Sequence, residues 1–180
     1  MRITLDNTMA LVIDYQERLM PPIGNKETLV SNSRILLAGL ESLRAPLIIS
    51  EQYPQKLGST LPEIKEVAAG AKAYPKTAFS CWQDQALKQA IFECGRKNII
   101  LCGLETHICV LQTAVDLMDA GYQVVYVADC LGSRRKHDHK LGLERLRQEG
   151  CLAATYESIL FELTVGKDSP SFKTISNLVK

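Results

Sequence analysis

Several things are scarce in this chain, and each scarcity removes a class of function. No apolar run approaches the roughly 18 to 20 residues needed to span a bilayer. The N-terminal stretch MRITLDNTMALVIDY lacks a basic region followed by an apolar stretch and a small-residue cleavage site. The expectation is a soluble, cytoplasmic protein with no membrane partner. Charge of one sign is not in excess either: 21 basic against 20 acidic residues leave a formal net charge of +1. So small a balance builds no long-range field to collect nucleic acid, which drops from the expected partners. Histidine is limited to His107, His137 and His139. The last two flank Asp138, and alternating residues at a helix start diverge, so no metal site is expected there. The six cysteines, at 81, 94, 102, 109, 130 and 151, form no CxxC pair. A disulfide framework or structural zinc site is therefore not expected, and most of them read as small buried hydrophobes.

What is present suits one domain over residues 1–180, because 46% hydrophobic residues supply a sizeable core. Short branched or apolar runs alternate with longer helix-like stretches. Residues 10–13, 46–50, 98–102 and 123–128 are continuous rather than alternating, as strands covered on both faces are. Residues 72–76, KAYPK, form a weaker candidate whose proline demands an edge or a strand end. Residues 151–155 make a sixth.

Leu29, Leu36, Leu40 and Leu43 share one helical face, and Ile108, Leu111, Val115 and Met118 another. Further helices are read over 137–148 and 171–179. Such a series closes as an α/β fold, a three-layer αβα sandwich with a doubly wound six-stranded parallel sheet. The connection from Glu51 to Gly70, with Pro54, Gly58 and Pro62, reads as irregular and suited to a lid or an oligomer contact.

Ligands of open parallel sheets collect beyond the carboxyl ends of the strands. Three reactive residue types arrive there: Asp14 after the run ALVI, Lys76 in YPKTAFS, and Cys109 in GLETHICV. A thiol with an ordinary pKa of about 8.5 becomes a good nucleophile where a helix start and a cation favour the thiolate. Asp14 can take its proton, since shielding from water raises a carboxylate pKa. Lys76 orients both but pulls Asp14 the other way. His107 is a competing base, yet residues two apart on a helix point away from each other, so it reads as a solvent-facing or helix-start residue. Arg134 and Arg135 can meet a substrate carboxylate or remain solvated.

These same residues carry a resemblance. LVIDYQERL, YPKTAFS and GLETHICV, in that order and spacing, with the later segment VADCLGSRRKHDHKLGLERLRQEG, resemble the isochorismatase-like cysteine hydrolase superfamily. VIDYQERLMPPI and SEQYPQKLGSTLPEI are most similar to its isochorismatase domain-containing subgroup. The resemblance implies that Asp14, Lys76 and Cys109 are the catalytic residues. It also implies a sheet order of 3-2-1-4-5-6, a cis peptide between Leu104 and Glu105, and oxyanion donors from the backbone N–H groups of Glu105 and Cys109. Nicotinamidases of the superfamily carry an Asp-x-His ligand set after strand two, whereas this chain reads SEQYPQKLG there, so neither a metal nor a cofactor is expected.

Together these readings lead to an enzyme that hydrolyses a small amide, ureide or related C–N bond through a covalent acyl-enzyme. The alternatives are a catalytically silent binding or structural module, or isochorismatase-type ether cleavage. A homo-oligomer is expected, because Leu19 to Ile23 and the Tyr53 to Leu61 loop place apolar residues outside any clear stripe.

Overall fold

A computed structural model describes residues 2–180. Six strands alternate with helices: β1 (Thr8–Ile13), α1 (Lys26–Ser42), β2 (Leu47–Gln52), α2 (Pro54–Leu57), α3 (Pro62–Val67), β3 (Lys72–Lys76), α4 (Gln85–Glu93) and β4 (Asn98–Leu104). After β4 come α5 (Leu111–Asp119), β5 (Gln123–Gly132), α6 (Lys136–Gln148), β6 (Leu152–Ala154), α7 (Tyr156–Thr164) and α8 (Phe172–Leu178). All the strand pairings are parallel, in the order β3-β2-β1-β4-β5-β6.

The continuous apolar runs are explained by burial on both faces. Every residue of β1 and β4 is buried. Along β1, Ala10 and Val12 face the layer that holds Leu36, Leu40, Ile159 and Leu160. Met9, Leu11 and Ile13 face Leu87, Ile91, Val110 and Leu117 on the other side. Strand β3 carries Pro75 and lies at the sheet edge, where the missing N–H costs no ladder bond.

Two connections depart from the sequence reading. The stretch from Glu51 to Gly70 contains two short helices, α2 and α3, each with proline in its first turn. It is also fastened to the segment after β1. Gln16 Nε2 donates to Gly58 O at 2.7 Å, Arg18 NH1 donates to Lys56 O at 2.7 Å, and Leu61 N donates to Tyr15 O at 2.8 Å. The apolar residues of Leu19 to Ile23 are not a bare patch, since Met20 and Ile23 are buried in the α1-side core. Helices α4 and α7 add to the helices read from the sequence, and both are short and started by a cap. Asp84 accepts the N–H groups of Ala86 and Leu87, and Thr155 forms a capping box with Ser158.

The centre of the sheet demands one glycine. Gly103 pairs with Ile13 at φ 131°, and a β-carbon there would run into the Ile13 carbonyl oxygen. Only glycine lets β1 and β4 end this close together, and the functional side chains follow at once on both strands. Among the described residues, no helix is long and apolar enough to cross a membrane.

Candidate active site

Asp14 leaves β1 at φ 54°, a left-handed conformation that aspartate tolerates better than most side chains. Its carboxylate is fully engaged: Oδ1 accepts from the Ser50 hydroxyl at 2.7 Å, and Oδ2 from Lys76 Nζ at 2.8 Å. Neither side chain of the Asp14–Lys76 pair retains solvent exposure. Burial pushes the Asp14 carboxyl above its usual range, and this outweighs the downward pull of the Lys76 charge and of hydrogen bonds from Lys76, Ser50 and Cys109. For Lys76, burial works to lower the ammonium pKa, but the Asp14 charge above all, with the Cys81 and Cys109 sulfurs beside it, overcomes it and the net shift is upward. The ammonium is closely surrounded, donating also to Gln52 Oε1 at 2.7 Å and to the carbonyls of Phe79 at 3.0 Å and Ala78 at 3.3 Å.

Cys109 sits in a π-type turn, Thr106–Val110, between β4 and α5. Within it, Ile108 and Val110 donate their N–H groups to the Glu105 carbonyl at 3.0 and 3.2 Å. Single π turns inside helices recur at functional sites. The Leu104–Glu105 peptide is cis. Cys109 is 7% exposed. Burial above all, and then the Asp14 charge, push its thiol up to about 12, while Lys76 pulls it down. The expectation of a thiolate favoured by a helix start and a cation is therefore corrected, because in the resting site desolvation prevails over both and the sulfur keeps its proton.

The turn is braced from the β5 side. The Glu105 side chain is 7% exposed, and its Oε1 forms an ion pair with Arg134, 2.7 Å from Nε. His107 is partly buried rather than solvent-facing. Its Nδ1 lies 3.1 Å from Ser133 Oγ and its Nε2 lies 3.8 Å from Asp138. Thr106 Oγ1 donates to Gly132 O at 3.0 Å and lies 2.9 Å from His139 Nδ1. Helix α6 presses against the turn at Gly142, where a β-carbon would stand 3.1 Å from the His107 backbone. Arg134 and Arg135 thus have protein partners, Glu105 for the first and Asp138, 3.9 Å away, for the second. Among the described residues, no group of three or more His, Cys, Asp or Glu is arranged to hold a metal ion.

The structure brings Asp14, Lys76 and Cys109 together, and the turn holding Glu105 is part of the same locus. Two contributors escaped the sequence reading, Ser50 on Asp14 and Gln52 on Lys76. The signal was there in principle: residues two apart on a strand share a face, and β2 is the immediate neighbour of β1. A buried acid facing a buried thiol, with a cation behind the acid, can move a proton between sulfur and a bound molecule. A groove of about 370 Å³, walled in part by Phe79, Ser80, His107 and Gln112, runs alongside.

With this geometry in view, comparison with known proteins gives a consistent picture. The isochorismatase domain matches residues 8–158. Isochorismatase domain-containing protein 1 of Danio rerio is 41% identical over 169 residues, covering 93% of this chain and 59% of that protein. Its Salmo salar counterpart is 38% identical over 174 residues, covering 96% of this chain and 61% of the relative. The chain therefore spans about three fifths of the length of these two relatives. Among solved structures, one described as MAR1 ribonuclease from Caenorhabditis elegans superposes with a TM-score of 0.93 at 33% identity, covering 99% of this chain and 92% of that one.

Proposed function

Because this chain belongs to the isochorismatase family, we propose that it is a hydrolase of a small amide, ureide or related C–N bond, with Cys109 as nucleophile. The observation that carries this reading is the buried Asp14–Lys76 pair beside the Cys109 thiol, close enough that each charge of the pair acts on the sulfur. A thiol that is neutral at rest needs a base beside it, and a carboxylate whose proton affinity burial has raised is such a base.

As sulfur attacks the carbonyl carbon, the S–H proton passes to Asp14. The backbone N–H groups of Glu105 and Cys109 receive the developing oxyanion. Collapse breaks the C–N bond, and Asp14 returns the proton to the departing nitrogen, leaving a thioester on Cys109. Water then attacks the thioester while Asp14 takes its proton. A second collapse releases the carboxylic acid, and Asp14 reprotonates the sulfur. Lys76 remains charged throughout and keeps the carboxylate aimed at the sulfur. The sequence's own chemistry supplies every step, so the reaction is expected to proceed in chelator-treated protein.

The test is a screen of small amides and ureides with chelator-treated protein, scoring product release together with a mass increase on Cys109. The expected result is turnover that accumulates an adduct on Cys109 and vanishes in Cys109→Ala. RNA, which the name of the Caenorhabditis elegans neighbour suggests, and isochorismate belong in the same screen. Cleavage of either that survives Cys109→Ala overturns the thiol mechanism, as does amide hydrolysis that is lost on chelation and restored by zinc or manganese.

A further inference from the structure

Among the described residues, one buried side-chain polar atom has no hydrogen-bond partner, and it is Glu105 Oε2. Buried polar atoms are almost always paired, and an unpaired oxygen of a charged group carries the larger cost. None of its neighbours serves it. Arg134 Nε is committed to the other oxygen at 2.7 Å. His107 Nδ1 is 3.6 Å away, beyond hydrogen-bond length, and stands closer to Ser133 Oγ at 3.1 Å.

The position of this oxygen in the fold points to what it awaits. Strand β4 lies between β1 and β5. Asp14 follows β1, with Lys76 reaching it from β3, and both are on one flank of the Cys109 turn. The Glu105 carboxylate is held by Arg134, which follows β5, on the opposite flank. A substrate joined to Cys109 therefore has the proton carrier on one side and an acceptor without a donor on the other. That acceptor belongs to the residue whose own N–H faces the oxyanion in the proposed reaction. Solvent does not reach Oε2 in this structure, so a substrate donor meets it only where binding opens its cover, beneath an Arg134 side chain that is 57% exposed.

We propose that Glu105, oriented by Arg134, is a specificity residue that accepts an N–H carried by the substrate beside the scissile carbonyl. Building on the acyl-transfer reading above, this narrows the substrates to primary or secondary amides and ureides, and excludes esters, thioesters and tertiary amides. Discrimination follows from the orphaned oxygen itself, since a molecule without the N–H leaves a buried acceptor unpaired, and sites of that kind reject such analogues strongly.

Chloroacetamide and chloroacetone differ only in an NH2 and a CH3 beside the carbonyl, and both alkylate thiols. Their rates on Cys109 are measured by mass spectrometry and divided by their rates on glutathione. The wild-type protein is expected to favour the amide by roughly tenfold or more, the scale of one hydrogen bond to a charged group. Glu105→Gln should abolish the preference, because Arg134 fixes the new carbonyl and leaves an NH2 where Oε2 stood. A wild-type ratio equal to that of glutathione overturns the proposal. So does a preference unchanged in Glu105→Gln, which assigns the oxygen to His107. A Cys109 that reacts no faster than Cys94 counts against the nucleophile and not against Glu105. Titration of Cys109→Ala protein with acetamide and acetone, following the Arg134 Nε–H resonance, then decides: a saturable shift with acetamide alone supports the assignment, and identical responses remove it.

Discussion

Asp14 is pulled in two directions, by burial that raises its proton affinity and by Lys76 that lowers it, and burial prevails. The group must be deprotonated to accept the thiol proton, so the acid limb of kcat/KM is expected above the ordinary carboxylate value of about 3.9. Activity rises as pH passes that limb. Asp14→Asn removes the limb and lowers kcat by roughly 10²-fold or more, the usual contribution of a general base. A pH–rate profile whose acid limb falls at or below the ordinary value counts against Asp14 as the base. Gln52 is the second residue with a definite expectation. It takes one of the Lys76 N–H groups at 2.7 Å, so Gln52→Leu turns the ammonium more fully onto Asp14 and moves the acid limb to lower pH. The same change lowers the unfolding free energy by about 1.5 to 3 kcal/mol, the value of a hydrogen bond to a charged group. Denaturant titration and the pH profile read the two effects separately, and a limb that moves upward shows that Gln52 instead holds Lys76 in place.

At the scale of strands and helices, the site depends on two strand ends meeting. Gly103→Ala sets a β-carbon against the Ile13 carbonyl and a side chain at φ 131°. An overpacked core commonly loses about 1 to 3 kcal/mol, and here the displaced backbone is the one that delivers Asp14 to Cys109. Lower denaturation midpoint and lost alkylation of Cys109 are expected together, and loss of stability with full reactivity would show that the approach of β1 and β4 is not what aligns the pair. The strands themselves were legible in the sequence because two-sided burial writes a continuous apolar run, as in NIILC. Asp14 and Cys109 are legible because each follows such a run, and Lys76 because it closes the weaker edge segment KAYPK. Ser50 and Gln52 were not, since their partners come from other strands and only the sheet order shows who faces whom. The protonation state of Cys109 is hidden for a similar reason: a helix start and a lysine are visible in one dimension, whereas the depth of burial is not. Helices α4 and α7 are nine residues each, and the caps that start them, Asp84 and Thr155, are the local signals that mark them in the sequence.

For the molecule as a whole, Leu19 to Ile23 offer little apolar surface for self-association, since Met20 and Ile23 are buried and Leu19 is partly buried. Tyr53 is 45% exposed and Phe79 54% exposed, on the connections that follow β2 and β3 at the site's edge of the sheet. We propose a symmetric homo-oligomer that covers these rings. Light scattering at micromolar concentration is expected to give a multiple of the subunit mass, with Phe79→Ser shifting it downward. A monomeric mass at that concentration would end this reading.

The hydrogen bond from Asn98 to Thr8 joins positions 90 residues apart, at the base of the two strands that carry Asp14 and Cys109. A nascent chain must emerge past β4 before its first strand has its inner neighbour, and closing so long a loop comes before any of the contacts that reward it. Until then β1 offers an apolar, unpaired edge to whatever is nearby. The proton acceptor is made early and the thiol late, so truncated translation products have only half of the reaction's machinery and the full cost of an exposed strand. The step that completes the sheet is also the one that first makes chemistry possible, so in vivo yield and specific activity should fall together when synthesis outpaces that pairing.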